Sequence, residues 1–211
     1  MKFIFPLFFT YLSLMDCQVN AQQSQDEIDK QVKSFLESKK GAWRYWNVPF
    51  EDGKVLYDII IDKGYTSGLE IGTSTGHSTI WMAWAMSKTG GKVVTVEIDE
   101  GRYQTAIENI KAAGLEEFVD ARLGDAHKLV KEIKGPFDFV FSDADKSWYT
   151  NYFKDVVPKL NIGGCFTAHN VRNSYGGTAE FLEFIRGKSN YETTIDNSSR
   201  SGISISYKKS E

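Results

Sequence analysis

The chain has 211 residues, of which 41% are hydrophobic and 25% are charged, and its formal net charge is -3. Such a chain can bury one good hydrophobic core, so a single globular domain is the simplest expectation and two domains are disfavoured. Acidic and basic residues are interspersed without a large basic block, which argues against a nucleic-acid partner. We therefore expect a small-molecule partner.

The first residues combine a positive charge with a short apolar run. Lys2 precedes an apolar stretch from Phe3 to Met15, and the small residue Ala21 suits a signal-peptidase cleavage site. We therefore predict a signal peptide over residues 1–21 and a secreted or periplasmic protein, or a cytoplasmic one if the segment is not processed. Because a membrane span needs roughly 20 apolar residues, no stable span is expected after cleavage.

Residues 22–48 are predicted to form an N-terminal helical and aromatic cap. Ile28, Val32 and Phe35 recur at helical spacing and indicate a surface helix. The segment that follows is dense in aromatic residues, and we expect it to be an ordered loop packed on the main domain. That domain is predicted to span residues 49–211.

From Gly53 onward, helices alternate with strands. The predicted strands are rich in Val, Ile and Phe, and glycines end the helices between them. This alternation is typical of a parallel sheet that is covered on both faces. The last two strand-like runs have no helix between them, so they should pair antiparallel at the end of the sheet. We predict an α/β fold with a doubly wound, mostly parallel, seven-stranded sheet and an antiparallel C-terminal strand.

The stretch LEIGTSTGHS lies where the first strand turns into a helix. Gly72 and Gly76 let the backbone approach a ligand closely, and the helix N-terminus presents unpaired N–H groups. A nicotinamide dinucleotide site would have G-x-G-x-x-G, whereas the spacing here, starting at Glu70, is E-x-G-x-x-x-G. A nucleotide-dependent oxidoreductase is therefore disfavoured. Thr73 and its neighbours suit a ligand with a carboxylate, an amine and a ribose.

The ends of the second and third strands complete a nucleoside site. Glu97 ends the second strand, where a carboxylate can accept both hydroxyls of a ribose. Asp125 follows the third strand and is placed to meet the exocyclic amine of an adenine. Ile98 could pack on the face of that base.

The fourth and fifth strands end in polar residues that could perform chemistry. Asp143 and Lys146 follow the fourth strand, and His169 and Asn170 end the fifth. Open α/β sheets place ligands at the carboxyl ends of their strands, so these groups should share an edge with the nucleoside site. Carboxylates beside a lysine can bind a metal and leave a basic group for proton transfer.

Together these motifs resemble the class I S-adenosylmethionine-dependent methyltransferases, in particular the catechol and caffeoyl-CoA O-methyltransferase family. The resemblance covers most of residues 49–170. It is carried by LEIGTSTGHSTIWMA, VVTVEID, AIENIKAAGL, GDA, FDFVFSDADKSWY and PKLNIGG. It implies a Rossmann-like methyltransferase fold, S-adenosylmethionine as the cofactor, and O-methylation of a small, catechol-like acceptor.

The resemblance also implies cofactor roles for individual residues. Glu70, Gly72 and Ser78 would line the methionine end of the cofactor, Glu97 would hold the ribose, and Asp125 with Ala126 would lie at the adenine. The predicted cofactor residues are Glu70, Gly72, Thr73, Gly76, Ser78, Glu97, Ile98, Asp125, Ala126 and Asp143.

For the chemistry, the resemblance makes Asp143 a metal ligand and Lys146 the general base for the attacking hydroxyl. The remaining ligands in the family are a consecutive Asp-Asn pair, which here is His169-Asn170, so an imidazole replaces a carboxylate. We predict Asp143, His169 and Asn170 as metal ligands. Lys146, Asp143 and His169 are predicted to carry the reaction.

This departure leaves three hypotheses. Magnesium prefers oxygen ligands, whereas imidazole suits zinc, iron or nickel and is compatible with manganese, so a divalent ion (Mn, Zn, Fe, Ni or Mg) is one expectation. A metal-independent methyltransferase is the second, with His169 as hydrogen-bond partner or base for the substrate hydroxyl. An exported S-adenosylmethionine-binding protein without catalysis is the third, because that cofactor is made in the cytoplasm.

The acceptor walls are expected in residues 41–50 and 171–178. Trp43, Trp46, Arg172 and Tyr175 are the candidate contacts, and the aromatic content favours a planar acceptor. A homodimer is compatible with the sequence, which does not select an oligomeric state.

Overall fold

The computed structural model describes residues 24–43, 46–173 and 176–211. The predicted signal segment, residues 1–21, lies outside the described residues. The strands are β1 (Ser67–Ile71), β2 (Lys92–Glu97), β3 (Val119–Leu123), β4 (Phe137–Ser142), β5 (Leu160–His169), β6 (Tyr191–Asp196) and β7 (Ile203–Lys208). The helices are α1 (residues 24–38), α2 (Phe50–Lys63), α3 (His77–Thr89), α4 (Glu100–Ala112), α5 (Ala126–Glu132), α6 (Tyr149–Val156) and α7 (Thr178–Arg186).

In the described part of the chain, seven strands form one sheet in the order β3-β2-β1-β4-β5-β7-β6. β1 to β5 are mutually parallel, and β7 runs antiparallel to both β5 and β6. The predicted doubly wound sheet with an antiparallel C-terminal strand is therefore confirmed. The chain reverses its direction of winding between β1 and β4, which is where open α/β sheets form a crevice for ligands.

Helices cover both faces of the sheet. On one face α5, α6 and α7 pack on residues such as Ile71 and Phe166, and on the other α2 and α3 pack on residues such as Phe141 and Cys165. The predicted N-terminal helix is present as α1, and its Val32 joins a third cluster with α3 and α4. None of the helices in the described ranges is long and apolar enough to cross a membrane.

The pleat of β5 decides which face each of its side chains meets. Successive side chains on a strand point to opposite faces, so Phe166 and Ala168 join the cluster under α6 and α7, whereas Cys165 joins the cluster under α2 and α3. His169 shares the parity of Cys165. The strand therefore directs His169 towards the face that α2 covers.

His77 begins α3 and is held as a neutral imidazole. Its Nδ1 donates to the main-chain oxygen of Val48 at 2.9 Å, and its Nε2 accepts from Nε1 of Trp81 at 3.1 Å. The ring of Trp43 stacks on it with 4.3 Å between ring centroids. Burial lowers the pKa of His77 to about 4, although the bond to Val48 opposes this shift. Protonation would add a proton to Nε2 and break the bond from Trp81.

Acidification should therefore destabilise the protein through His77. In the unfolded chain His77 gains a proton near pH 6.5, whereas in the folded protein it does so only near pH 4. The stabilisation that depends on neutral His77 is therefore fully present above pH 6.5 and is lost as the pH falls towards 4. We expect the native protein to lose about 3 kcal/mol more than His77→Asn over this interval. Denaturant unfolding at several pH values measures the difference, and parallel pH dependences of the two proteins would contradict the assignment.

Phe166 is the central residue of the core on one face of the sheet. It is fully buried, and its ring centroid lies 5.2 Å from that of Phe153 and 5.9 Å from that of Phe181. Phe166→Ala should lower the free energy of unfolding by about 3–5 kcal/mol because it leaves a cavity. The control on the same strand, Ile162→Ala, changes an exposed side chain and should cost less than about 0.5 kcal/mol. Equal losses in guanidinium unfolding would refute this core assignment.

Candidate active site

A cavity of about 480 Å³ opens at the carboxyl ends of β1, β2, β3 and β4. Predicted cofactor residues from all four strand ends line it. They are Gly72, Glu97, Ile98, Asp125, Ala126 and Asp143. The cavity therefore joins the predicted nucleoside end of the site to the predicted chemical end, where Lys146 also lies.

Gly72 lets the loops after β1 and β4 approach each other. Its φ is 103°, a region that side chains rarely adopt, and a Cβ there would lie 3.0 Å from the main-chain nitrogen of Ala144. The main-chain nitrogen of Asp143 donates to Ile71 at 2.9 Å, and that of Gly72 donates to Val96 at 3.0 Å. A side chain at Gly72 would separate the loop that binds the cofactor from the loop that carries Asp143.

Glu70 is not among the residues that line the cavity, and its place at the methionine end stays a prediction. It is fully buried because the pleat of β1 turns it towards α3. Its Oε2 accepts hydrogen bonds from the hydroxyls of Thr95, at 2.6 Å, and Thr79, while Oε1 has no partner among the described residues. Burial raises the pKa of Glu70 to about 7 against the effect of nearby hydroxyls. Glu70 thus stabilises the turn after β1 from the side of the sheet that α3 covers.

Three further predicted cofactor residues also lie outside the cavity lining in the described structure. Thr73 is buried, and its hydroxyl lies 2.5 Å from that of Thr95. Gly76 is the N-cap of α3, with a φ of 94°, and Ser78 is buried in the first turn of that helix. These residues therefore stabilise the turn after β1 from the side that does not face the cavity.

Glu97 is held in place from three sides. Its Oε2 accepts from the main-chain nitrogen of Ser74 at 2.7 Å, and its Oε1 accepts from that of Asp99 at 2.9 Å. Arg102 donates to the same Oε1 from Nε at 3.1 Å and from Nη2 at 2.8 Å. Each carboxylate oxygen has two acceptor sites, so Oε2 can still accept a ribose hydroxyl. The carboxylate is therefore oriented before any ligand arrives.

The predicted adenine end combines an exposed apolar side chain with a helix N-terminus. Ile98 is 65% exposed and lines the cavity. Asp125 is the N-cap of α5 and accepts from the main-chain nitrogen of His127 at 3.0 Å. The ring of His127 stacks on Tyr152 at 5.7 Å between centroids. An adenine could lie between Ile98 and this aromatic group.

Among the polar residues of the cavity that sequence reasoning missed are Arg102 and His127. Arg102 stands three residues after Asp99, which caps α4, and this spacing could have shown that its side chain reaches back to Glu97. His127 directly follows Asp125 and Ala126, so its place at the helix start was also readable. Both residues add positive or hydrogen-bonding capacity to the nucleoside end.

Lys146 and Asp143 form an ion pair at the chemical end. Nζ of Lys146 lies 2.5 Å from Oδ1 of Asp143 and 2.8 Å from its main-chain oxygen. Burial alone would raise the pKa of Asp143, but His169 and Lys146 hold it below its usual range. Asp143 is therefore an ionised carboxylate at the wall of the cavity.

His169 lies between two carboxylates. Its Nδ1 is 3.2 Å from Oδ1 of Asp143, and its Nε2 is 2.7 Å from Oδ2 of Asp52 in α2. Ionised carboxylates only accept hydrogen bonds, so both ring nitrogens donate. Burial alone would lower the pKa of His169, but Asp143 and Asp52 outweigh it and raise the pKa to about 9. His169 is buried and does not line the cavity, so its predicted catalytic role stays a prediction.

The predicted metal ligands Asp143, His169 and Asn170 do not fit a divalent ion in this arrangement. An imidazole binds a metal through a nitrogen lone pair, and both nitrogens of His169 are turned to carboxylates. Asn170 has a φ of 58° and does not line the cavity. Within residues 24–43, 46–173 and 176–211, no group of three or more His, Cys, Asp or Glu residues could hold a metal ion.

The predicted acceptor contacts have different surroundings. Trp46 is 85% exposed and lines the cavity, whereas Trp43 stacks on His77. The side chain of Arg172 is exposed and is not part of the cavity wall. Tyr175 lies outside the described residues. Of the described candidates, Trp46 is therefore the one placed to meet an acceptor.

Comparisons with known proteins agree with this geometry. Residues 19–179 match a family model described as O-methyltransferase. A catechol O-methyltransferase from Niastella koreensis is 44% identical over 107 residues, which are 49% of this chain and 48% of that protein. A caffeoyl-CoA O-methyltransferase from Populus kitakamiensis is 28% identical over 158 residues, which are 72% of this chain and 67% of that protein. The matches thus span about half to two thirds of these relatives.

A solved structure is similar over most of the chain. The O-methyltransferase from Bacillus cereus in complex with S-adenosylhomocysteine has a TM-score of 0.73 at 28% identity, and the match covers 85% of this chain and 91% of that one. The chain belongs to the O-methyltransferase family. The resemblance to S-adenosylmethionine-dependent methyltransferases of the catechol and caffeoyl-CoA type is confirmed.

Replacing Glu97 tests the cofactor end of the cavity. Glu97→Gln keeps the shape of the side chain but removes the charge that meets Arg102 and that is predicted to meet the ribose hydroxyls. Since a hydrogen bond to a charged group contributes about 1.5–3 kcal/mol, the affinity for S-adenosylhomocysteine should fall roughly 10- to 100-fold. Isothermal titration measures the loss. The control Asp120→Asn removes an exposed carboxylate paired with Arg122 and should bind normally; an equal loss in both variants would exclude Glu97 as a specific ligand.

Proposed function

We propose that this protein transfers the methyl group of S-adenosylmethionine to a hydroxyl of a small aromatic, catechol-like acceptor. One observation carries the proposal: a single cavity joins Gly72, Glu97 and Asp125 to Asp143 and Lys146. The family match supports the reaction class. The names of the relatives, a catechol and a caffeoyl-CoA O-methyltransferase, support the acceptor class.

In this proposal the cavity holds the cofactor so that its reactive end meets Lys146. Glu97 would bind the ribose, and the close approach of the loops at Gly72 and Ala144 would bring the methionine end next to Asp143. The carboxylate of Asp143 would also face the positive charge of the sulfonium. Much of the rate would come from holding the acceptor oxygen and the methyl carbon in line.

We infer that Lys146, which lines the cavity, receives the acceptor proton. As the acceptor oxygen attacks, a carbon–oxygen bond forms, the carbon–sulfur bond breaks, and the hydroxyl proton passes to the neutral amine of Lys146. The transfer requires the unprotonated amine of Lys146, and in the resting site Nζ donates to the carboxylate and main-chain oxygens of Asp143. Asp143 then fixes the position of the amine.

Two substitutions of Lys146 test this role. Lys146→Arg keeps the positive charge but cannot release its proton, and Lys146→Met removes both properties. If Lys146 is the base, both variants should lose roughly 100-fold or more in kcat. Their affinity for S-adenosylhomocysteine should stay near that of the native protein. Methyl transfer from labelled cofactor to catechols and hydroxycinnamates measures the rate.

The outcomes separate the remaining hypotheses. Lys128→Met, at an exposed position on α5, is the control and should keep full activity. Near-normal turnover of Lys146→Arg would show that Lys146 acts as a cation and is not the base. Tight cofactor binding by the native protein without transfer to any acceptor would instead support a binding protein without catalysis.

A further inference from the structure

Four charged side chains form a continuous chain from α2 to the cavity, which we call the charge chain: Asp52, His169, Asp143 and Lys146. Oδ2 of Asp52 lies 2.7 Å from Nε2 of His169, and Nδ1 of His169 lies 3.2 Å from Oδ1 of Asp143. Nζ of Lys146 lies 2.5 Å from the same Oδ1. Negative and positive groups alternate along it, and only its last two members reach the cavity.

The buried end of the charge chain, Asp52, lies away from the cavity. Asp52 is fully buried in the first turn of α2, where the helix dipole favours a carboxylate. The hydroxyl of Ser199, in the connection between β6 and β7, donates to its Oδ2 at 2.8 Å. Its other oxygen, Oδ1, has no hydrogen-bond partner among the described residues. Within the charge chain, His169 is the positive group that contacts Asp52.

The charge chain is electrically balanced without any further ion. With both nitrogens of His169 donating, two carboxylates face one imidazolium and one ammonium, so the charges sum to zero. A divalent cation bound to Asp143 would lie next to two positive groups, and repulsion between like charges is strong in a buried site. Displacing the proton of His169 would instead leave Asp52 buried without a counter-charge, which is costly.

We propose that the methyl-transfer centre works without a divalent metal, because His169, with both ring nitrogens hydrogen-bonded to carboxylates, offers no lone pair to an ion and itself holds Asp143 in place. Asp52 and His169 are positioning residues: neither reaches the cavity, and both act through Asp143. Asp143 in turn fixes the Nζ of Lys146, the group that meets the acceptor hydroxyl. This inference rests on the proposed function for its activity assay, but its binding assay does not need an acceptor.

The first experiment uses the native protein. After chelator treatment it is titrated with Mg²⁺, Mn²⁺, Zn²⁺ and Ni²⁺ by calorimetry, and its thermal midpoint is recorded with each ion. We expect no stoichiometric binding, no shift of the midpoint, and the same methyl-transfer rate with and without chelator. One equivalent of any ion bound more tightly than about 1 mM at this centre, lost in Asp143→Asn, would overturn the proposal.

The second experiment exchanges the imidazolium for a carboxylate. In His169→Asp a third acidic group would stand between Asp52 and Asp143, and a divalent cation would relieve their repulsion. We expect this variant to gain Mn²⁺ or Mg²⁺ binding and a rise in thermal midpoint with added ion. His169→Asn is the matched control, because it removes the same positive charge without adding a carboxylate. It should bind the ion more weakly than His169→Asp does, and its kcat should fall.

Each result decides something. If His169→Asp folds but binds no ion more tightly than His169→Asn does, then His169 is not what excludes the metal and the proposal fails. If the variant does not fold, the titration of the native protein decides alone. Absence of methyl transfer to every acceptor would refute the proposed function, while the ion titrations would still show whether His169 replaces a metal.

Discussion

The bridge that His169 forms between Asp52 and Asp143 is the constraint on which the candidate active site depends. A buried charge is tolerated only when it is paired and hydrogen-bonded, and here three elements supply the charges: α2, the turn after β4, and the end of β5. The main-chain oxygen of His169 accepts a hydrogen bond from the hydroxyl of Tyr149 at 3.2 Å, which ties the end of β5 to α6. Helices on both faces of the sheet thus set the position of one imidazole, and through it that of Asp143.

The nucleoside end of the cavity is equally well prepared for its ligand. Glu97 is oriented by Ser74, Asp99 and Arg102, and the glycine turn after β1 lies against the turn after β4. Groups that are held before binding lose little freedom when the ligand arrives. The groups predicted to bind the cofactor and the chemical groups therefore meet at the point where the order of the strands reverses.

The fold and the outline of the site could be predicted because they follow from local patterns. Alternating strands and helices indicate a parallel sheet, whose strand ends must share one edge, and this places Gly72, Glu97, Asp125 and Asp143 together. The contacts of Glu70 with Thr79 and Thr95 could not be predicted, because a motif does not show that the pleat of β1 turns its side chain towards α3. Asp52 was not foreseen because it is 117 positions from His169, and no local pattern reports a contact over that separation. The signal peptide stays a prediction.

The contact with Asp52 explains why a histidine can stand at position 169, where the family has an aspartate. An imidazole between two carboxylates carries both ring protons, whereas an imidazole that binds a metal must give one nitrogen lone pair to the ion. The most direct measurement is ¹⁵N NMR of the labelled imidazole of His169 at neutral pH, with the signals assigned by comparison with His169→Asn. Spectra are recorded without added ion, with Mg²⁺, and with diamagnetic Zn²⁺ in place of paramagnetic Mn²⁺. The predicted result is two protonated nitrogens that do not change on addition of the ion. A nitrogen without its proton, or one whose signal moves to a metal-bound position, would contradict the central claim.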